Sequence, residues 1–165
     1  MIYVLDGYNV LHRTPAFRAH FARGLQAARE ALVRFCAEWI ATRRDVAQFW
    51  IVFDGAETGS GLGEGAALGV RVVYSVAGES ADERIVSLVE ELGRFRACTV
   101  VSDDREVIRK AGVLGAAVMA VGVFARIPKG RRGRVRKNGD GAEKETALPE
   151  HVRRQITESL KRVWS

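Results

Sequence analysis

The stretch Ile2-Tyr3-Val4-Leu5-Asp6-Gly7-Tyr8-Asn9-Val10 decides the fold of this chain. Four apolar residues lead directly into an aspartate, which is typical of a strand that is buried on both faces and ends in a polar turn. Open α/β sheets place their chemistry at the carboxyl ends of such strands. The stretch therefore predicts a parallel strand with a functional carboxylate, Asp6, at its end.

Other predicted strands end in the same way. The run 49–53 leads into Asp54, and the run 98–101 leads into Ser102-Asp103-Asp104. A fourth acidic group, Glu79-Ser80-Ala81-Asp82-Glu83, follows the predicted strand 70–76 and opens a helix. Ser80 and Glu83 have the spacing of a capping box, and the helix dipole favours a carboxylate at Asp82. Purely structural capping is the alternative for Ser80, Glu83, Ser102 and Asp103.

Converging carboxylates need a counter-charge, because a buried cluster of like charges is costly unless a cation neutralises it. Hard oxygen ligands suit Mg²⁺ or Mn²⁺. Such ions activate water and stabilise the leaving oxygen of a phosphodiester. No serine, cysteine or histidine has an obvious nucleophile-and-base arrangement, so the pattern favours metal-dependent hydrolysis over covalent catalysis.

The rest of the chain alternates strands and helices. Apolar residues at steps of three and four from Phe17 to Trp39 predict one long helix from Thr14-Pro15 to about Arg44. A further short strand is predicted over 113–120. The alternation predicts one α/β domain with a mainly parallel sheet and helices on both faces. His12, close to the Asp6 turn, is either an ordinary surface or core histidine or a substrate contact.

The glycine-rich segment 55–69 is predicted to be a mobile loop beside Asp54. It lacks the G-x-x-x-x-G-K-[ST] pattern that cradles phosphates, so we expect no nucleotide cofactor.

Positive charge is concentrated near the carboxyl terminus. The chain has a net charge of +6; residues 126–165 carry 12 basic and 5 acidic residues, against 14 and 15 in residues 1–125. A glycine-broken basic run at 126–137 predicts an arm that lies along RNA phosphates, and a solvated tail is the alternative. Its candidate RNA-binding residues are Lys129, Arg131, Arg132, Arg134, Arg136 and Lys137. A final helix is predicted from Pro149.

Composition argues against a membrane or secreted protein. Asp6 interrupts the first apolar run, no basic region precedes it, and the longest uncharged stretch, 113–125, is too short to span a bilayer. Cys36 and Cys98 lie among apolar neighbours and are expected to be reduced core residues. We expect a cytoplasmic protein.

Four motifs together resemble the YacP-like branch of the NYN domain, within the PIN-like nuclease superfamily. They are Val4-Leu5-Asp6-Gly7-Tyr8-Asn9-Val10, Val52-Phe53-Asp54-Gly55, Gly78-Glu79-Ser80-Ala81-Asp82-Glu83 and Val101-Ser102-Asp103, in the family's order and spacing over about residues 2–125. The resemblance implies a three-layer α/β/α, Rossmann-like PIN fold and a Mg²⁺- or Mn²⁺-dependent endoribonuclease. RNA would be the partner, and an RNA-presenting assembly such as the ribosome a further one.

The resemblance also implies residue roles. By position, the acidic metal-site residues would be Asp6, Asp54, Asp82 and Asp103. Asn9 would support that site or touch the scissile phosphate. Asp104 competes with Asp103, which is preferred because it is nearer the strand end, and Glu79 would be a further ligand or a group behind the ligands. Residues 1–125 would form the nuclease domain, with the basic arm and terminal helix of 126–165 packed on it.

Two alternatives remain. A non-catalytic RNA-binding module would keep the same fold, but it would be expected to lose one or more of the acids, and all four positions are filled. A phosphohydrolase of the haloacid dehalogenase type also begins at a strand-end aspartate, but needs a second aspartate two residues later, where this chain has Tyr8.

Overall fold

The computed structural model describes residues 1–55, 65–67, 69–94 and 96–126. Within these ranges the strands are β1 (Ile2–Asp6), β2 (Gln48–Phe53), β3 (Gly65–Ala67), β4 (Val70–Tyr74), β5 (Cys98–Val101) and β6 (Ala117–Met119). The helices are α1 (Gly7–Arg13), α2 (Pro15–Phe21), α3 (Leu25–Ala41), α4 (Ala81–Gly93), α5 (Arg105–Val113) and α6 (Val121–Phe124).

All of these strands belong to one sheet of order β3-β4-β2-β1-β5-β6. β4, β2, β1, β5 and β6 run parallel, and β3 joins the edge antiparallel to β4. From β1 the chain moves outward to β2 and β4, then returns to place β5 on the other side of β1. The strand order therefore reverses between β1 and β5, which is the switch point where open α/β sheets bind ligands.

Helices cover both faces of the sheet, as the predicted three-layer α/β/α architecture requires. Alternate residues of β1 point to opposite faces. Tyr3 and Leu5 pack with side chains of α1, α2, α3 and α6, whereas Ile2 and Val4 pack with those of α4 and α5. The short apolar run of β1 is thus buried on both sides, and the prediction of an α/β fold with a mainly parallel sheet is confirmed.

The predicted long helix over 14–44 is wrong in one respect, because two helices replace it. Residues 22–24 separate α2 from α3, and Gly24 has a φ of 108°, which no helix accommodates. The apolar stripe continues across the break because both helices pack on the same core.

Several other boundaries also differ. The segment 55–69, predicted to be a loop, contains the short strand β3, which pairs with β4. The predicted strand 113–120 is shorter, because α5 continues to Val113 and leaves only β6. Asp6 is followed by a helix, α1, where a turn was expected. Cys36 and Cys98 are buried and free, as predicted.

The basic arm, with Lys129, Arg131, Arg132, Arg134, Arg136 and Lys137, lies outside the described residues, as does the predicted final helix. Among the helices that are described, none combines the length and the apolar character needed to cross a bilayer.

Candidate active site

The carboxyl ends of the parallel strands lie along one edge of the sheet, which we call the carboxyl edge. Pairing in register aligns Asp6 of β1 with Val52 of β2, and Leu5 with Val101 of β5. The residues that follow these strands are therefore brought to the same edge from distant parts of the chain. Most of the acidic residues predicted from the sequence lie there.

Asp6 lies at the switch point and is only 7% exposed. Its Oδ1 accepts a hydrogen bond from the backbone N–H of Asn9 (3.1 Å), so it caps the amino end of α1. Its Oδ2 accepts one from the hydroxyl of Ser102 (3.0 Å), which is completely buried. Burial raises the pKa of Asp6 to about 6, although both hydrogen bonds oppose the shift, and the charges of Asp82 and Asp104 raise it further.

Asp82 and Asp104 are the two carboxylates whose charges contribute to the raised pKa of Asp6. Partial burial raises the pKa of Asp82, and the nearby charge of Asp104 adds to the effect. Ser80 and Glu83 form the predicted capping box of α4, which leaves Asp82 uncommitted to capping. Asp104 caps α5 by accepting hydrogen bonds from two backbone N–H groups through Oδ1. The three carboxylates, here called the acidic triad, are thus placed by a strand end and two helix starts.

Asn9 and Asp103 connect the elements around the triad. The side-chain oxygen of Asn9 accepts a hydrogen bond from the backbone N–H of Asp103 (2.9 Å) and so joins α1 to the end of β5. Asp103 Oδ1 accepts one from the backbone N–H of Val121 (2.9 Å) at the start of α6. Asp103 is therefore engaged with α6, and it is Asp104 whose charge acts on Asp6 and Asp82.

Asp54 follows β2 at the same edge, in a separate hydrogen-bonded unit. Its Oδ1 accepts a hydrogen bond from the hydroxyl of Ser75 (3.1 Å), and that hydroxyl accepts one from the backbone N–H of Gly55 (3.1 Å). A Cβ at Gly55 would overlap the backbone oxygen of Ser75, so the Asp-Gly pair of the motif is required by the close approach of the chain after β4.

Glu79 belongs to the turn that connects β4 to α4. Its Oε2 accepts a hydrogen bond from the backbone N–H of Val76 (3.4 Å), and its own N–H donates to the Val76 oxygen. Glu79 thus has a local role in shaping the turn that leads to Asp82.

A buried arginine beside this edge was not found by sequence reasoning. Arg29 of α3 is 3% exposed, and its guanidinium donates a hydrogen bond to the Tyr8 hydroxyl. The same guanidinium lies 5.3 Å from the ring centre of Tyr8, 5.5 Å from that of Phe53 and 5.6 Å from that of Tyr74. No local signal marks it, because an arginine in an amphipathic helix is usually exposed.

The ligand atoms that the triad offers suit Mg²⁺ or Mn²⁺, because all of them are carboxylate oxygens, which are hard ligands. A cation would also offset the repulsion among the negative charges of the triad. In the described part of the chain, no three acidic, histidine or cysteine side chains are close enough to hold a metal ion by themselves. Mg²⁺ is commonly bound by only one or two carboxylates, with waters and substrate phosphates as the other ligands. An incomplete protein ligand set is therefore compatible with that ion.

The fold and the site define a Rossmann-like α/β protein with acidic residues at its strand ends. The chain belongs to the YacP-like NYN domain family, which matches residues 3–165. That family is a branch of the PIN-like nuclease superfamily, so membership implies nuclease activity, and PIN-like nuclease domains generally use divalent metals. Comparison with curated proteins gave no significant match.

Two crystal structures of Rae1 (YacP) from Bacillus subtilis are similar to this chain. A mutant form superposes with a TM-score of 0.62 and another structure of the protein with 0.59. Both are 23% identical in sequence, and each match covers 76% of this chain and 72% of the other. At this identity, the likeness shows a shared fold.

Proposed function

We propose that this protein is a metal-dependent endoribonuclease that hydrolyses RNA phosphodiester bonds at the carboxyl edge of its sheet. The observation that carries the proposal is the acidic triad at the switch point between β1 and β5. Burial and the charges of Asp82 and Asp104 raise the pKa of Asp6, and burial and the charge of Asp104 raise the pKa of Asp82; raised carboxyl pKa values of this kind are typical of functional sites. Membership of a nuclease family supplies the class of reaction.

One or two carboxylates of the acidic triad, Asp6 among them, would hold Mg²⁺ or Mn²⁺, with waters and substrate phosphates as the remaining ligands. When bound, such an ion supplies an activated water and stabilises the negative charge of the leaving oxygen. We choose Asp104 over Asp103 because the charge of Asp104 acts on the other two carboxylates. The hydrogen bonds do not distinguish the two residues, since each uses its Oδ1 to accept from backbone N–H groups. This choice reverses the preference drawn from the sequence.

The neighbouring residues hold the triad in place. The Ser102 hydroxyl and the Asn9 backbone N–H each donate to a different oxygen of Asp6, which fixes the plane of its carboxyl group. The Asn9 side chain, together with Asp103, keeps α1 and the β5–α5 connection in register. Asp54, oriented by Ser75, would act on the same substrate from the β2 side. Glu79 would act only through the turn that positions Asp82.

RNA is the proposed partner, with the basic arm at 126–137 as a phosphate contact and an RNA-presenting assembly such as the ribosome as a further partner. The arm's excess of positive charge supports this proposal. A cytoplasmic location, as expected from the sequence, agrees with an RNA substrate.

Asp6→Asn tests the proposal directly. Asparagine caps helices as well as aspartate, so the variant should fold. It loses the ligand charge, and cleavage of a labelled RNA panel with Mg²⁺ or Mn²⁺ should fall by on the order of 1,000-fold. RNA binding in EDTA should be retained, because removing a carboxylate removes repulsion of phosphate.

Asp45→Asn is the matched control, because Asp45 is an exposed aspartate that precedes β2 at the opposite edge of the sheet. It should cut at the wild-type rate. A folded Asp6→Asn protein that also cuts at the wild-type rate would contradict the assignment. A wild-type protein that binds RNA but cuts none of it, with either metal, would indicate a non-catalytic RNA-binding module.

A further inference from the structure

The surface formed by α1 and α2 combines positive charge with exposed aromatic rings. Between Asp6 and Glu30 the sequence contains four arginines, two histidines and no acidic residue. Of these arginines, Arg29 is buried, whereas Arg13, Arg18 and Arg23 are exposed. In the part of the chain that the structure describes, none of these three exposed arginines forms an ion pair. Their charge is therefore available to a ligand.

Two rings lie on the same surface. The His12 ring stacks on that of Phe21 with 5.3 Å between the ring centres and 14° between the planes. The His12 ring is exposed to solvent, whereas the Phe21 ring is half-buried and packs against the hydrophobic core. Nearly parallel rings at a surface offer a flat area on which a nucleic-acid base can stack.

The ring pair is connected to the active site by α1 itself. His12 lies one turn after Tyr8, with 6.4 Å between the ring centres, and Tyr8 packs against Phe53 (5.3 Å), the residue before Asp54. Asp6 caps the other end of the same helix. His12 is six positions after Asp6, which corresponds to about 9 Å along the helix axis. An RNA strand seated on the rings would have to extend about 9 Å along α1 to reach the end of the helix that Asp6 caps.

We propose that the α1–α2 surface, consisting of Arg13, Arg18, Arg23, His12 and Phe21, binds single-stranded RNA and guides it to the acidic triad. This inference rests on the proposed function and adds the substrate class. Arginines without acidic partners suit phosphates, and the stacked rings suit an unpaired base. A duplex hides its base faces, so single-stranded RNA is the form that both features recognise.

The charge component is tested with Arg18→Gln/Arg23→Gln. The control is Arg44→Gln/Arg96→Gln, two exposed arginines that precede β2 and β5 at the opposite edge. Binding of dye-labelled single-stranded RNA is measured by fluorescence anisotropy in EDTA over a range of salt concentrations. The first variant should bind more weakly, and the slope of log K against log salt should decrease in magnitude by about 1.4, since each lost phosphate contact removes about 0.7. The control should keep the wild-type slope.

The stacking component is tested with His12→Ala, and His20→Ala of α2 is the control, because no ring contact involves His20 in the described part of the chain. His12→Ala should weaken single-stranded binding at least about fivefold. His20→Ala should not weaken it, and neither variant should change binding of a duplex of the same sequence by a comparable factor.

The outcomes separate this inference from the proposed function. If wild-type protein cuts RNA and the α1–α2 variants bind it as tightly as wild type does, the inference is overturned and this surface serves another ligand, such as an acidic protein. An equal loss in the control pair would also overturn it, because charge in general would then explain binding. A wild-type protein that neither binds nor cuts RNA would overturn the proposed function itself.

Discussion

Asp6 combines three roles in one carboxyl group. It ends the central strand, caps α1 and receives a hydrogen bond from Ser102, yet it remains buried beside two other carboxylates. Burial without a fixed cation stabilises the neutral form of a carboxyl group, which is why its pKa is raised to about 6 from 3.8. Ionising Asp6 in the folded protein therefore costs more free energy than ionising an exposed aspartate.

This cost predicts a pH dependence of stability in the absence of metal. Because folded Asp6 binds its proton more tightly than unfolded Asp6, its stabilising contribution is complete below pH 3.8 and is lost as the pH rises through about 6. The loss corresponds to about 3 kcal/mol. The Asp6→Asn variant has no carboxyl group to ionise and does not lose this stability as the pH rises. Its free energy of unfolding at pH 8 should therefore exceed that of wild type by up to about 3 kcal/mol, and the difference should shrink toward pH 4.

Urea unfolding of both proteins in EDTA across this pH range measures the difference. The Asp45→Asn protein serves as the comparison, because its pKa is lowered by Arg43 and it is exposed. A stability difference between Asp6→Asn and wild type that stays constant with pH would show that Asp6 has an ordinary pKa in the folded protein.

At the scale of elements, the break between α2 and α3 depends on one glycine. Gly24 has φ 108° and ψ 159°, a region that is essentially restricted to glycine. A Cβ there would meet no atom within 4 Å, so any cost of substitution comes from the backbone alone. The break separates α2 from α3, and Phe21, the last residue of α2, lies beside His12.

Gly24→Ala should therefore lower the free energy of unfolding by about 1–3 kcal/mol. Gly112→Ala is the matched control: Gly112 is within α5, has no positive φ and also has open space for a Cβ. It should raise stability by about 0.4–1 kcal/mol, since alanine restricts the unfolded chain. Urea titrations of the two variants give the comparison; a stabilising Gly24→Ala would mean that residues 22–24 are helical in solution.

At the scale of the whole molecule, the acidic triad contrasts with stretches of the chain that are rich in basic residues. The triad would repel a polyanion, so the proposed RNA substrate would have to be held by groups elsewhere on the chain. The basic run at 126–137 and the α1–α2 surface are the two places where basic residues are not balanced by acids. Such a division allows tight RNA binding without neutralising the carboxylates that would hold the metal.

The sequence predicts that the basic arm contributes to RNA binding, and the salt dependence of the binding constant tests this prediction. Replacing Arg131, Arg132, Arg134 and Arg136 by glutamine should weaken RNA binding and reduce the magnitude of the salt slope by about 3. Replacement of four basic residues in the predicted final helix, Arg153, Arg154, Lys161 and Arg162, is the control for net charge. A wild-type slope in the first variant would exclude the arm as an RNA contact.

Much of the fold, and the position of several acidic residues of the candidate site at strand ends, was predictable because the signals are local. An unbroken apolar run with Asp6 at its end, a capping box at Ser80 and Glu83, and alternating strands and helices are each contained in a few consecutive residues. The order of residues also showed that acidic residues directly follow several of the predicted strands. The break at Gly24 was missed because the apolar period continues through it.

The amino-acid sequence by itself determined the class of fold, the buried first strand and the set of acidic residues at the strand ends. Only the tertiary structure decided which acids act together. Asp6 accepts a hydrogen bond from Ser102, 96 positions later in the chain. Asp103 accepts one from Val121 at the start of α6, whereas the charge of Asp104 acts on Asp6 and Asp82. The clustering of three rings around buried Arg29 is likewise tertiary. The physical reason is that strand order and register, which arise from packing the whole core, set the distances between residues that no local pattern relates.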